Sequence, residues 1–203
     1  MRKTHILLIA ILAFGLTYCS DDDTNPTDAP VTESSENAIL PLEVGNYWVF
    51  ETVTMEQDST TTQMDTMKVV NVSLIGGDPW YRVEDFGTLR NFGKSTAIYA
   101  KNTESIIFPY TAAVGDTMNP MTESGILEGE VLSTELAVSV PAGDYFCYVY
   151  KFIEHTGAEY TFYLSHRIGF IRMEYRHEFT SPQFPNGYSI IRTSNLVEYH
   201  LER

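Results

Sequence analysis

The sequence predicts an all-β fold, an antiparallel meander forming a curved sheet, an open barrel or a sandwich. Three observations carry that expectation. Apolar residues alternate at period two through roughly ten short segments. Glycine, proline and asparagine turns separate those segments. No window offers a long apolar stripe at helical period with capping residues.

The first strand is expected over residues 47–53, where Trp48 and Phe50 alternate with Val49 after the turn signal Val44-Gly45-Asn46. The polar stretch EQDSTTTQ that follows reads as a hairpin loop or an extended arm. Strands over 67–75 and 80–86 flank the turn Gly76-Gly77-Asp78-Pro79, and shorter ones occupy 96–101 and 105–110. Beyond Gly125 the pattern strengthens, giving strands at 126–132, 135–140, 144–155, 159–164, 170–179 and 188–201. Pro141-Ala142-Gly143, Thr156-Gly157, Ile168-Gly169 and Pro185-Asn186-Gly187 supply the turns between them.

Both faces of residues 144–155 are apolar, which predicts a central strand covered on both sides and hairpinned to 159–164. Phe146, Tyr148, Val149 and Phe152 are therefore expected to be largely buried. In the strand after Gly169, Met173, Tyr175, His177 and Phe179 oppose Glu174, Arg176 and Glu178, a pattern with one wet face. With 13 Tyr and 11 Phe, a filled aromatic core is expected, and a concave aromatic sheet would suit a hydrophobic or carbohydrate ligand.

The 203 residues are 43% hydrophobic and 20% charged, an ordinary globular composition sufficient for one domain. Thirteen basic against 27 acidic residues give a net charge of −14. No basic stripe offsets it, so nucleic acid is not expected as a partner. Residues 1–18 read as an export signal: Arg2 and Lys3 precede an apolar run from Ile6 to Leu16 that is too short to span a bilayer. Leu16-Thr17-Tyr18-Cys19 resembles the lipobox of bacterial lipoproteins, with Tyr18 standing where a small residue is usual. The resemblance implies lipidation at Cys19 and anchoring to a membrane. The Ser20, Asp21, Asp22, Asp23 run resembles the surface-export signal of Bacteroidetes lipoproteins and implies outer-membrane attachment at the cell surface. Residues 19–39 are acidic and aromatic-free, which predicts a flexible tether, and residues 40–203 a single β domain. Once Cys19 is lipidated, Cys147 has no partner and reads as a small buried hydrophobe.

The segments LPLEVGNYWVFE, FPYTAAVGDTM, VSVPAGDYFCYVYKF and TFYLSHRIGFIRME resemble a family of uncharacterised bacterial secreted lipoproteins of Bacteroidetes type. Its members share a PLxxGNxW opening and a VPAGxFxC strand, then an aromatic strand ending in an Ile/Val-Gly turn. The resemblance implies an all-β curved sheet, distantly similar in shape to the periplasmic lipoprotein carriers, and implies no particular activity. Read physically, Pro141 and Gly143 make a tight turn, and Gly169 permits a bend or a close backbone approach.

Signs of chemistry are few. His155, His166, His177 and His200 fit no metal-binding spacing, so neither a metal nor a cofactor is expected. Ser165 and His166 are adjacent on a strand and point to opposite faces, so they cannot form a nucleophile–base pair. Asp58, Asp65, Asp116 and Asp144 lack calcium-loop spacing, and no catalytic residue stands out. The function expected is a non-enzymatic binding or scaffold lipoprotein, with a glycan, a lipid or an envelope protein as partner. The alternative is a surface hydrolase acting on polysaccharide or peptide, which would show a cleft with converging carboxylates or a Ser–His pair. Trp48, Trp80, Tyr148 and Tyr150 are the candidate ligand contacts.

Overall fold

The computed structural model describes residues 37–57, 59–181 and 184–202. The export signal, Cys19, the Ser20-Asp21-Asp22-Asp23 run and the tether as far as residue 36 lie outside the described residues. Within them there is no α-helix, as the sequence predicts.

The first half of the domain holds β1 (Tyr47–Glu56), β2 (Ser59–Ile75), β3 (Asp78–Val83), β4 (Gly87–Phe92), β5 (Ser95–Ala100) and β6 (Thr103–Phe108). The second holds β7 (Thr117–Met118), β8 (Glu128–Val140), β9 (Gly143–Ile153), β10 (Glu159–Ser165), β11 (Gly169–Ser181) and β12 (Phe184–His200). Each half is a meander, and antiparallel pairing of β1 with β12 fuses the two into one sheet of order β6-β5-β4-β3-β2-β1-β12-β11-β10-β9-β8-β7. The sheet curls into a nearly closed barrel whose two edges are laced by other groups. The Met121 amide donates to Ser105 Oγ at 3.2 Å, and the Tyr150 hydroxyl donates to the Pro109 carbonyl at 3.0 Å.

Most strand positions follow the sequence pattern, and the departures have local causes. The polar arm EQDSTTTQ is strand: its threonines pair along β1, from Thr52 opposite Gln63 to Glu56 opposite Ser59. Threonine favours a pleated, half-wet surface whatever its polarity. β4 has only one buried position, Leu89, so it left no apolar alternation to read. The two strands expected at 126–132 and 135–140 form one long β8, bent at register shifts between Val131 and Ser133 and between Ser133 and Leu136. Each shift puts unequal residue numbers opposite each other and turns the strand.

That bend also explains a correction on β9. The strand is central, between β8 and β10, and pairs with β10 through the Thr156-Gly157 turn as expected. Phe146, however, is 74% exposed instead of buried. Cys147, Val149, Tyr150 and Phe152 are buried on two different faces, and beside the bent end of β8 the Phe146 face has no cover.

The domain begins earlier than expected. Ala38 and Ile39, assigned to the tether, are buried with Leu40 and Leu42. This segment stoppers one end of the barrel. The Ile39 amide donates to the Lys94 carbonyl in the β4–β5 turn, and the Arg167 amide donates to the Ala38 carbonyl from the β10–β11 turn. The PLxxGNxW residues hold it in place. Asn46, itself buried, donates from Nδ2 to the Pro41 carbonyl at 3.0 Å and accepts from the Glu202 amide at 2.7 Å. The Trp48 indole donates to the Ile168 carbonyl at 2.6 Å and stands edge-on to Phe170. Gly169, at φ +89°, lies so close that a Cβ there would come within 2.7 Å of Leu40 and 3.0 Å of Trp48.

Candidate functional site

Above the stopper the barrel is filled with rings. Phe108 lies at its centre, with Phe152, Phe162, Phe170, Tyr150 and Phe86 all at 5.3–6.1 Å centroid separation. Phe86 comes from the β3–β4 turn, where Asp85 adopts φ +57°, and its ring lies over Phe162 and Phe170 at 5.6 and 5.2 Å. It roofs the closed core.

Beyond Phe86 the interior is open. A cleft of about 650 Å³ lies on the concave face, lined by β1 (Phe50), β2 (Gln63, Asp65, Met67), the 84–86 turn, β10, β11 and β12. Its long wall is aromatic and apolar, built by Tyr160 and Phe162 of β10 and Met173 and Tyr175 of β11. The register places Phe162 opposite Met173 and Tyr160 opposite Tyr175. A neighbouring hollow of about 420 Å³ shares Asp85, Phe86, Tyr160 and Phe162 with it and opens toward Ile98, Tyr99 and residues 122–124.

Electrostatics here are dominated by burial. The Tyr160 hydroxyl donates to Glu154 at 3.1 Å, and burial followed by that carboxylate holds its pKa well above the ordinary phenol value. Burial raises Tyr175 as well, with Glu154 adding to the rise and the Arg192 guanidinium opposing it. Tyr163, on the far face of β10, donates to Glu174 and is pushed up to about 12, first by burial and then by that carboxylate. All three phenols stay protonated across the physiological range, Tyr160 and Tyr163 as hydrogen-bond donors.

The candidate contacts chosen from sequence fall elsewhere. Trp48 and Tyr150 are wholly buried, each bonding a backbone carbonyl. Trp80 is buried on the face opposite Leu89, beneath the Arg90 guanidinium at 5.2 Å and against Tyr99 at 5.2 Å. Arg90 is itself fixed by Asp78 and Glu104 at 2.8 and 2.7 Å, so Trp80 is capped. Tyr148 is half-buried between Tyr110 and Tyr150, away from the cleft. The cleft wall is instead the alternating face of β11, whose apolar pattern is visible in the sequence. Its concavity comes from the curl of the whole sheet and is not. Cys147 is buried, and burial pushes its thiol up to about 12, the setting of an inert core sulfur.

Such a molecule is defined by its fold as a twelve-stranded, all-antiparallel barrel-like sheet with one stoppered and one open end. Two solved structures are similar to it. One is from Bacteroides fragilis, described as an exported protein with YmcC-like fold: 14% identity, TM-score 0.42, covering 81% of this chain and 99% of that one. The other, from Parabacteroides distasonis, is described as a lipoprotein: 11% identity, TM-score 0.41 and the same coverage. No family model and no curated protein matches the sequence.

Proposed function

We propose that this chain is a lipid-anchored lipoprotein of the outer membrane, displayed at the cell surface, that binds a ligand in its concave cleft and performs no chemistry on it. One observation carries the binding role. Ring packing fills the barrel only as far as Phe86, and an aromatic wall continues past it around open space. A protein serving as a scaffold alone gains stability by closing such a space, whereas ligand sites are concave, mostly apolar and preformed. The anchor and address rest on the sequence: the apolar run, Cys19 at its end and the acidic residues after it.

Metabolic labelling with a palmitate analogue, combined with protease added to whole cells, tests the anchor. Label is expected on the wild type and lost in Cys19→Ala. Replacing Asp21, Asp22 and Asp23 with Ala is expected to keep the protein in the outer membrane but hide it from protease. Persistent label in Cys19→Ala overturns the anchor, and unchanged cleavage of the triple variant overturns the export signal. For binding, fractions of the cell envelope and medium are screened for protection of the β10 and β11 amides from hydrogen exchange. If no fraction protects them, the binding role falls.

A further inference from the structure

The two walls of the cleft differ in chemistry. One carries a continuous run of rings: Phe162, Tyr160, Tyr175, His177, Phe179 and Tyr188, with successive centroids 6.4, 5.1, 6.4, 5.0 and 5.3 Å apart. It leaves the barrel mouth and follows β11 to the β11–β12 hairpin, where a second hollow of about 590 Å³ borders Phe179 and Tyr188. The rings past Phe162 are half-buried, one side packed on neighbours and the other toward solvent.

The opposite wall is polar. Gln63 donates to Asp65 at 2.9 Å, and Glu84 and Asp85 converge on the same space, which Arg192 enters from β12 beside Tyr175. Among the described residues the side chains of Glu84, Asp85 and Arg192 form no hydrogen bond or ion pair. Their donors and acceptors are free for a ligand.

An alkyl chain fits this arrangement poorly. It would strip water from three or more charged groups and return no hydrogen bond, a cost that outweighs the gain along the aromatic wall. A sugar chain satisfies both walls at once: its C–H faces lie on ring faces, while its hydroxyls donate to carboxylates and accept from a guanidinium. Charge narrows the class further. Asp65, Glu84 and Asp85 surround the cleft against the single guanidinium of Arg192, so an anionic ligand would meet like charge. We infer that the cleft and its aromatic extension bind a glycan chain bearing no anionic groups, built from neutral or amino sugars. This rests on the cleft being a ligand site, as proposed above.

The test is calorimetric titration of the full-length protein in a polyoxyethylene detergent, which carries no sugar. The probes are maltohexaose and chitosan hexasaccharide within a panel of neutral and amino-sugar oligosaccharides, with polygalacturonate as the anionic comparison. Binding is expected for members of the panel and not for polygalacturonate. Tyr175→Ala removes one ring and is expected to weaken binding about tenfold, the worth of one good contact. Asp85→Asn, at an exposed turn, guards against a folding defect and is expected to weaken an amino-sugar ligand while leaving the circular dichroism spectrum unchanged. Absence of binding across the panel, equal affinity in both variants, or tighter binding of polygalacturonate overturns the inference. Protection of β10 and β11 amides by palmitate alone overturns the glycan class and leaves the binding role standing. Protection by no probe and no cell fraction removes both.

Discussion

Gly169 and Gly157 form a natural pair for separating backbone cost from packing cost. Their φ angles are nearly equal, +89° and +84°, so alanine at either meets the same left-handed penalty of about 1–2 kcal/mol. Their surroundings are opposite. At Gly157 nothing lies within 4 Å of a new Cβ, whereas at Gly169 it would stand 2.7 Å from Leu40 Cδ1 and 3.0 Å from Trp48 Cζ2. Neither neighbour can give way easily, since the indole is tied to the Ile168 carbonyl and Leu40 is wholly buried in the stopper. Overpacking of that kind costs about 1–3 kcal/mol. Gly169→Ala should therefore lose about 2–5 kcal/mol in all, and Gly157→Ala only the first part. At roughly 2–4 °C per kcal/mol for a domain of this size, Tm should fall by about 4–20 °C for Gly169→Ala. Urea unfolding of the wild type and the two variants, followed by near-ultraviolet circular dichroism, measures the difference directly. Equal losses in the two variants would refute the reasoning, because the contact between the β10–β11 turn and the stopper would then carry no energy.

Two further outcomes follow from the core. Phe152→Ala should cost about 3–5 kcal/mol, since its wholly buried ring packs edge-on to Phe108 and beside Phe162 below the cleft, and no ligand space adjoins it to absorb the void; urea unfolding reads this. The protein should also weaken in alkali. Burial raises the Cys147 thiol from 9.0 to about 12, so the folded chain keeps a proton that the unfolded chain gives up. The stabilisation is complete below pH 9 and is lost as pH rises toward 12. Cys147→Ala should flatten that decline in part, and the native thiol should resist Ellman's reagent at pH 8.

How far the sequence could be read depended on what each feature depends on. Strand existence is local, and Gly143–Ile153, Glu159–Ser165 and Gly169–Ser181 fall within a few residues of expectation because alternation and turn residues are written into neighbouring positions. The roles of Gly45, Asn46, Trp48 and Gly169 are local in sequence but distant in space: their partners Glu202, Pro41, Ile168 and Leu40 emerge only when the barrel's base is assembled. The site was the least legible. Alternation told Tyr175 from Arg176 on β11, yet whether Tyr175 faced a filled interior or an open cleft depended on where Phe86 stopped, on another strand pair. Trp48 and Trp80 drew attention by size, and size in a strand is a better sign of burial than of recognition.

The stopper also gives the domain a direction. Residues 38–42 enter at the end bounded by the β4–β5 and β10–β11 turns, while the cleft opens beside the 84–86 turn at the other end. The six residues of β4, at about 3.3 Å each, set those two turns roughly 20 Å apart. Residues 38–42 therefore act as a keystone set from outside the strands: their removal would strip Ile39, Leu40 and Leu42 from the core together with the hydrogen bonds from Ile39 to Lys94 and from Arg167 to Ala38, and would leave Trp48 and Gly169 facing a void.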